Sequence, residues 1–386
     1  MRRFLTNLTG LAAVITGLLV GPVYIRSFWK VQMLVSELSW MPMLLSLAGM
    51  LRAIRRRRWL GAALYLAGGV LSARPYFQMR QTVDLMEDSM RDALGDDYMA
   101  AIPPAMTPRL SWASWTVAAA LGSRYVTPRT SVTQNIIYAE TPNRPLKLDI
   151  YQPVTNPPVG EDYPAIIIIH GGGWSSGDKG GSVAAHHRYL ANQGYIVFDI
   201  QYRLSHEARW PAARDDVLAA VRWVKANASR YRVDPDRIAL LGRSAGGHLA
   251  LSAAYLDNEE TRVAAVVSYY GPTDLRLWQM ADGSLVKALI GGTPNTHPEA
   301  YRDSAPVEFV RDDLPPTLLI QGYRDYIVPY THTESLANRL AATNTPTVVL
   351  RLPWSQHGFD YPMMGNGSQL VQYNLDRFLA WSLYGR

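Results

Sequence analysis

The chain has 386 residues, 38 of them Lys or Arg against 32 acids, for a formal charge of +6, and it has no cysteine. Without cysteine there is no disulfide framework, thiol nucleophile or zinc–thiolate site. The positive charge is local: residues 1–80 hold eleven Lys/Arg and one acid, Glu37, while the remainder is net negative, which excludes a basic nucleic-acid-binding face over the folded body.

Three apolar runs, 4–25, 32–51 and 59–73, open the chain and are separated by basic clusters. The first two approach the ~20 residues of a membrane-spanning helix. Phe28, Trp29, Trp40, Trp59 and Tyr76 stand near the run ends, where interfacial aromatics are favoured. A signal peptide is the competing reading of the first run, but Pro-Val-Tyr-Ile-Arg follows it instead of a small-x-small site, and two more apolar runs come after. Residues 1–80 are therefore expected to be a membrane region of two to three transmembrane helices. Arg2, Arg3 and the cluster Arg52, Arg55, Arg56, Arg57 and Arg58 belong on the cytoplasmic side. With three spans the rest of the chain is extracytoplasmic, which is the expectation; two spans would leave it inside.

Residues 81–130 read as a connector. Within it, 81–94 suits a polar amphipathic helix, and Pro103, Pro104 and Pro108 break the pattern. The Ala-rich stretch 110–121, with Trp112 and Trp115, suits either a bilayer surface or the surface of the body.

From residue 131 to 386, short β-rich runs alternate with helical ones. Strands are expected at 135–139, 146–151, 165–169, 195–201, 237–241, 263–269, 317–321 and 347–352, and helices at 182–193, 212–228, 246–257, 331–342 and 369–383. Several strands are continuous Ile/Val/Leu runs, as in parallel strands buried on both faces by crossover helices, whereas the first pair is more polar and suits an antiparallel edge. A mostly parallel sheet of about eight strands with helices on both faces places ligand sites at the strands' C-terminal ends.

The unusual residues fall in loops at those ends. His170-Gly171-Gly172-Gly173-Trp174 follows the third strand; three glycines leave the backbone free to turn its N–H groups inward, as an oxyanion hole requires. A phosphate cradle would need a following Lys-Ser/Thr and an immediate helix; a plain glycine-rich turn is the other reading. Gly242-Arg243-Ser244-Ala245-Gly246 matches GxSxG, a serine on a sharp strand-to-helix turn. Such a serine needs a base. His357, in the loop after the last strand, is the candidate. His248, on the helix that starts at the turn, should point away and be structural; His170 should hold the glycine loop. His186 and His187 read as helix-surface residues, with pocket lining as the other placement. Asp325, after the strand before the last, is the candidate to orient the imidazole. Asp360 is the rival, but three residues from His357 it is expected to cap or bridge locally. The order Ser244, Asp325, His357 is the one expected of a triad on this sheet.

Taken together, residues 131–386 resemble an α/β-hydrolase. The His-Gly-Gly-Gly-Trp loop with Gly-Arg-Ser-Ala-Gly-Gly-His is similar to the hormone-sensitive-lipase-like carboxylesterases and their bacterial esterase relatives, and so are Tyr202-Arg203-Leu204 and Trp210-Pro211-Ala212-Ala213 with Asp215 and Asp216. The resemblance implies Ser244 as nucleophile, His357 as base and Asp325 as its partner. It also implies the N–H groups of Gly172, Gly173 and Ala245 as oxyanion donors, with His170, Gly171 and Trp174 supporting the loop. It implies an ester substrate, small or lipid, and no metal or organic cofactor. Two departures leave the substrate open: Arg243 stands where many members have an acid, and Gln321-Gly322-Tyr323-Arg324 precedes Asp325 in place of the commoner His-Gly. Amide, formamide or peptide cleavage on the same triad, and a non-catalytic binding module, are the alternatives.

Overall fold

Eight strands form one sheet in the computed structural model, which describes residues 2–21, 26–110, 113–123, 130–277 and 283–385. They are β1 (Ser131–Ala139), β2 (Leu146–Gln152), β3 (Tyr163–Ile169), β4 (Ile196–Ile200), β5 (Val233–Arg243), β6 (Ala265–Tyr269), β7 (Thr317–Gly322) and β8 (Thr347–Leu352), in the order β1-β2-β4-β3-β5-β6-β7-β8. β1 pairs with β2, and β2 with β4, antiparallel; every pair from β4 to β8 is parallel. The polar β1 is mostly solvent-facing at the edge, while β3 is buried at every residue. Side-chain alternation divides the core: Ile167, Ile169 and Leu240 face one helical layer, Ile166, Ile168 and Leu241 the other.

The N-terminal part folds as α1 (Arg2–Val20), α2 (Trp29–Glu37), α3 (Trp40–Arg55), α4 (Trp59–Ser72) and α5 (Arg74–Leu94). In the body follow α6 (Ala184–Asn192), α7 (Ala212–Ala226), α8 (Ala245–Ala254), α9 (Ser284–Ile290), α10 (Pro298–Asp303), α11 (Thr331–Leu340) and α12 (Asn366–Tyr384). α7, α8 and α11 cover one face of the sheet; α6, α12 and the Met86 and Met90 side chains of α5 cover the other. This is the α/β-hydrolase arrangement that the resemblance implies. The helices α9 and α10, inserted between β6 and β7, have no counterpart among the sequence-predicted elements.

The N-terminal runs differ from expectation. Among the described residues, no single helix is long and apolar enough to cross a membrane; α2 and α3 pass together only as a pair bent by 74°. The run 4–25 ends as helix at Val20, before Gly21, and residues 22–25 lie outside the described residues. α1 and α4 run parallel, with contacts Thr6–Gly61, Gly10–Leu64, Ala13–Gly68 and Gly17–Leu71, and α3 lies antiparallel to α4 through Gly49–Tyr65 and Ser46–Gly69. The approach is too close for side chains: a Cβ on Gly17 would sit 2.6 Å from Leu71 Cβ, and one on Gly68 2.6 Å from the Ala13 carbonyl carbon.

The connector helix starts earlier than the 81–94 pattern suggests. Pro75 sits in the first turn of α5, where a missing N–H costs nothing. Farther on, Ser89 Oγ accepts the Val349 N–H of β8 at 2.9 Å. Of the stretch 110–121, residues 111 and 112, with Trp112, lie outside the described residues. The rest rests on the body: Trp115 Nε1 donates to Asn366 Oδ1 (3.1 Å) and Thr116 N to Gln369 Oε1 (3.0 Å).

Candidate active site

The turn between β5 and α8 sets Ser244 at φ 54°, ψ −120°, a left-handed backbone that a non-glycine residue rarely adopts. The turn holds because the strand and helix can close on each other: a Cβ on Gly242 would lie 2.0 Å from Gly246 O, so only glycine fits. Ser244 N donates to Tyr269 O at 2.8 Å and Ser244 O accepts the His248 N–H at 3.0 Å, which fixes the residue from both neighbours. Its side chain is half-buried. Ala245 is the first residue of α8, a position whose N–H has no partner within the helix.

The loops after β7 and β8 bring the two other expected residues to this serine. His357 Nε2 lies 3.0 Å from Ser244 Oγ, and His357 Nδ1 lies 2.7 Å from Asp325 Oδ2. Asp325 is buried; its Oδ1 accepts the N–H groups of Ile327 (2.9 Å) and Val328 (2.8 Å), so the carboxylate is held on the side away from the histidine. Gln321, one of the departures from the resemblance, supports it: Nε2 donates to Asp325 Oδ2 (3.3 Å) and Val328 O (3.1 Å), and Oε1 accepts the Thr333 hydroxyl (3.1 Å).

The glycine loop lies against the serine, with Gly171 nearest to it: a Cβ there would be 3.4 Å from Ser244 Cβ. Gly172 has φ 127°, and the N–H groups of Ser175 and Ser176 close a turn onto its carbonyl. His170 and Trp174 flank the loop. The His170 ring stacks on Tyr202 at 4.3 Å, its Nδ1 lies 2.8 Å from Gly171 O, and Tyr202 donates to His170 O at 3.1 Å. Trp174 Nε1 donates to His248 Nδ1 at 3.2 Å, and His248 Nε2 donates to Ser304 O at 2.7 Å. His248 is thus remote from the Ser244 hydroxyl and braces the glycine loop from below, a task its sequence position did not disclose.

Three expectations are corrected. His186 and His187 are buried, not on a helix surface. His186 Nδ1 accepts from Arg243 Nη2 at 3.0 Å, and His187 lies 3.3 Å from Asp199. Asp360 does not bridge locally: it pairs with Arg243 Nε at 2.5 Å and accepts the Tyr270 hydroxyl, and the Tyr270 ring in turn lies 4.5 Å from the His357 ring. An ionic cluster therefore backs the turn that carries Ser244, and only the partners' distance in sequence hid it.

Burial lowers His248 and His332 to about 4 and His186 well below its ordinary value. Each stays neutral in the folded chain at pH values where the unfolded chain takes up a proton. Their contribution to stability is therefore complete above about pH 6.5 and is lost as the pH falls towards 4, at up to about 1.4 kcal/mol per pH unit for each histidine. The melting temperature is expected to fall across this window, and His248→Gln to flatten the fall; equal slopes for the two proteins would count against it.

Comparison with known proteins adds three findings. The BD-FAE family model matches residues 148–340, half of the chain. "Probable carboxylic ester hydrolase LipM" of Mycobacterium tuberculosis is 35% identical over 213 residues, covering 51% of this chain and 49% of LipM, and "Esterase LipC" of the same organism is 32% identical over 244 residues, covering 59% and 60%. The chain thus spans about half to three-fifths of the length of these curated relatives. Among solved structures, "Truncated form of carbohydrate esterase from gut microbiota" superposes with a TM-score of 0.53 at 27% identity, covering 65% of this chain and 96% of that one.

Proposed function

Because the chain belongs to the BD-FAE family, we propose that it hydrolyses carboxylic esters through a serine acyl-enzyme. The observation that carries this reading is the unbroken relay from Ser244 Oγ to His357 (3.0 Å) to Asp325 (2.7 Å) beside the glycine loop. His357 Nε2 takes the hydroxyl proton as Ser244 Oγ adds to the ester carbonyl carbon. The N–H groups of Gly172, Gly173 and Ala245 receive the oxyanion, and the imidazolium is stabilised by Asp325. Collapse of the tetrahedral intermediate expels the alcohol, which takes the proton from His357; water then repeats the cycle on the acyl-enzyme. The names of the relatives support esters over amides.

The second part of the reading concerns α1, α3 and α4, which form a membrane-embedded anchor with the arginine-rich end cytoplasmic and the hydrolase body on the other side. Outward-facing Phe4, Leu8, Ile15, Leu45, Leu66 and Val70 support it, as do the glycine contacts between α1 and α4, since close backbone packing is how helices associate in lipid. Arg52, Arg55, Arg56 and Arg57 are exposed at one end of the bundle, opposite the body. At roughly 21 to 28 Å, the helices are shorter than an average bilayer core, a mismatch met by local thinning and by long side chains reaching the interface.

One experiment tests both parts. Membranes from cells expressing the full chain are washed with alkaline carbonate and assayed on p-nitrophenyl esters from C2 to C16, and a fluorophosphonate adduct is mapped by mass. Esterase activity retained in the pellet, with the adduct on Ser244, is expected. An adduct elsewhere would sink the serine assignment, and full release into the wash would sink the anchor.

A further inference from the structure

The N-terminal helices do more than stand beside the hydrolase body, because α2 holds the loop that carries His357. Its last residue, Glu37, is 0% exposed. Glu37 Oε1 accepts the Ser355 hydroxyl at 2.6 Å and Oε2 accepts the Gly367 N–H at 2.6 Å. Neighbouring bonds extend the attachment: Ser36 Oγ donates to Trp354 O (3.2 Å) and Asn366 Nδ2 to Ser39 Oγ (3.1 Å).

Ser355 is the junction. It lies two residues before His357, and its carbonyl accepts the N–H of Arg324, the neighbour of Asp325, at 3.0 Å. One residue thereby ties together α2, the histidine loop and the aspartate loop. The joint has little slack, since a Cβ on Gly367 would lie 2.8 Å from Ser355 Oγ and 3.0 Å from Glu37 Oε2. Two further contacts bring the N-terminal helices to the same place: the Trp29 ring meets the His357 ring edge-on with centroids 6.3 Å apart, and Arg324 Nη1 donates to Val20 O at 2.7 Å.

A carboxylate shut away from water is costly unless it is bonded, and two short bonds to it are strong and directional. The single acid of residues 1–80 makes those bonds to the histidine loop and to the first turn of α12, both more than 300 residues away. We propose that Glu37 is a positioning residue for His357, acting through Ser355, so that the N-terminal helices are part of the catalytic apparatus as well as a tether. The proposal rests on the esterase reading. Its physical basis is that a displacement of the imidazole by about an ångström is enough to cost the order of 10²-fold in rate.

The test uses the detergent-solubilised full chain with Glu37→Ala, Glu37→Gln, Ser355→Ala and the double variant Glu37→Ala/Ser355→Ala. kcat and KM are measured on p-nitrophenyl butyrate, and kcat is normalised to the sites titrated by a fluorophosphonate, so that unfolded protein does not count. Glu37→Ala is expected to lower kcat per titrated site by about tenfold or more with KM within about twofold, the pattern of a lost transition-state geometry. Glu37→Gln, which keeps an acceptor oxygen, should recover much of the loss. The double variant should be no worse than the worse single one, as for two members of one linkage. Wild-type kcat per site in Glu37→Ala overturns the proposal. If Glu37→Ala yields no titratable sites, Ser355→Ala decides alone: a tenfold fall supports the proposal and wild-type kcat overturns it. A wild type that neither hydrolyses esters nor labels at Ser244 overturns the esterase reading and this proposal with it. A wild type that does both, beside variants of unchanged kcat, overturns only the proposal.

Discussion

Ser244→Ala is expected to leave a folded protein whose ester hydrolysis is lower by a factor on the order of 10⁶. The change removes one oxygen from a half-buried side chain. The backbone bonds that hold the turn, Ser244 N to Tyr269 O and His248 N to Ser244 O, are untouched. Alanine meets the same left-handed backbone as serine, so no new strain is added. His357 loses one partner and keeps Asp325. Binding and the oxyanion donors remain, and they alone leave a residual rate about 10³ to 10⁴ above water. The measurement is kcat on a short-chain ester with the melting temperature beside it. A variant that keeps its activity would remove Ser244 from the reaction.

Asp325→Asn is the second large effect, a loss of about 10⁴ in kcat. Two backbone donors, Ile327 N–H and Val328 N–H, point at Asp325 Oδ1, so an asparagine there will keep its carbonyl oxygen on that side. Its NH₂ then faces His357 Nδ1 and also the NH₂ of Gln321, which donates to the native Oδ2. A donor at Nδ1 forces the imidazole proton onto Nε2. The nitrogen that should receive the Ser244 proton is then already occupied. A loss smaller than about tenfold would mean that His357 is oriented by something other than Asp325.

Much of the site was legible in the sequence because each part is local. Apolar runs announced the strands, and the glycine loop, the serine turn, Asp325 and His357 each sit directly after one of them. The distant pairings were not legible. Nothing near Asp360 points to Arg243, 117 residues earlier, and nothing near Glu37 points to Ser355, 318 residues later. The same gap explains the N-terminal apolar runs. Hydropathy reads 32–51 as one run, yet the chain bends by 74° between α2 and α3, where Glu37 and Ser39 are bonded to the body. A one-dimensional pattern contains no signal for an anchor point that the far end of the chain supplies. His186 and His187 mislead in the opposite direction, since polar side chains in a helix suggest solvent until the tertiary partner appears.

The Arg243–Asp360 pair constrains how this sequence can drift. Both groups are buried behind the serine turn, and loss of either alone strands the other's charge at a cost of about 3 to 5 kcal/mol, a large part of an ordinary protein's stability. An acid at 243, the residue of many esterases that this chain resembles, would meet Asp360 as a like charge. Exchange between the two solutions one residue at a time therefore passes through a stranded or like-charged pair. Residues 243 and 360 thus act as a couple, and a change at one is expected to be tolerated only with a matching change at the other.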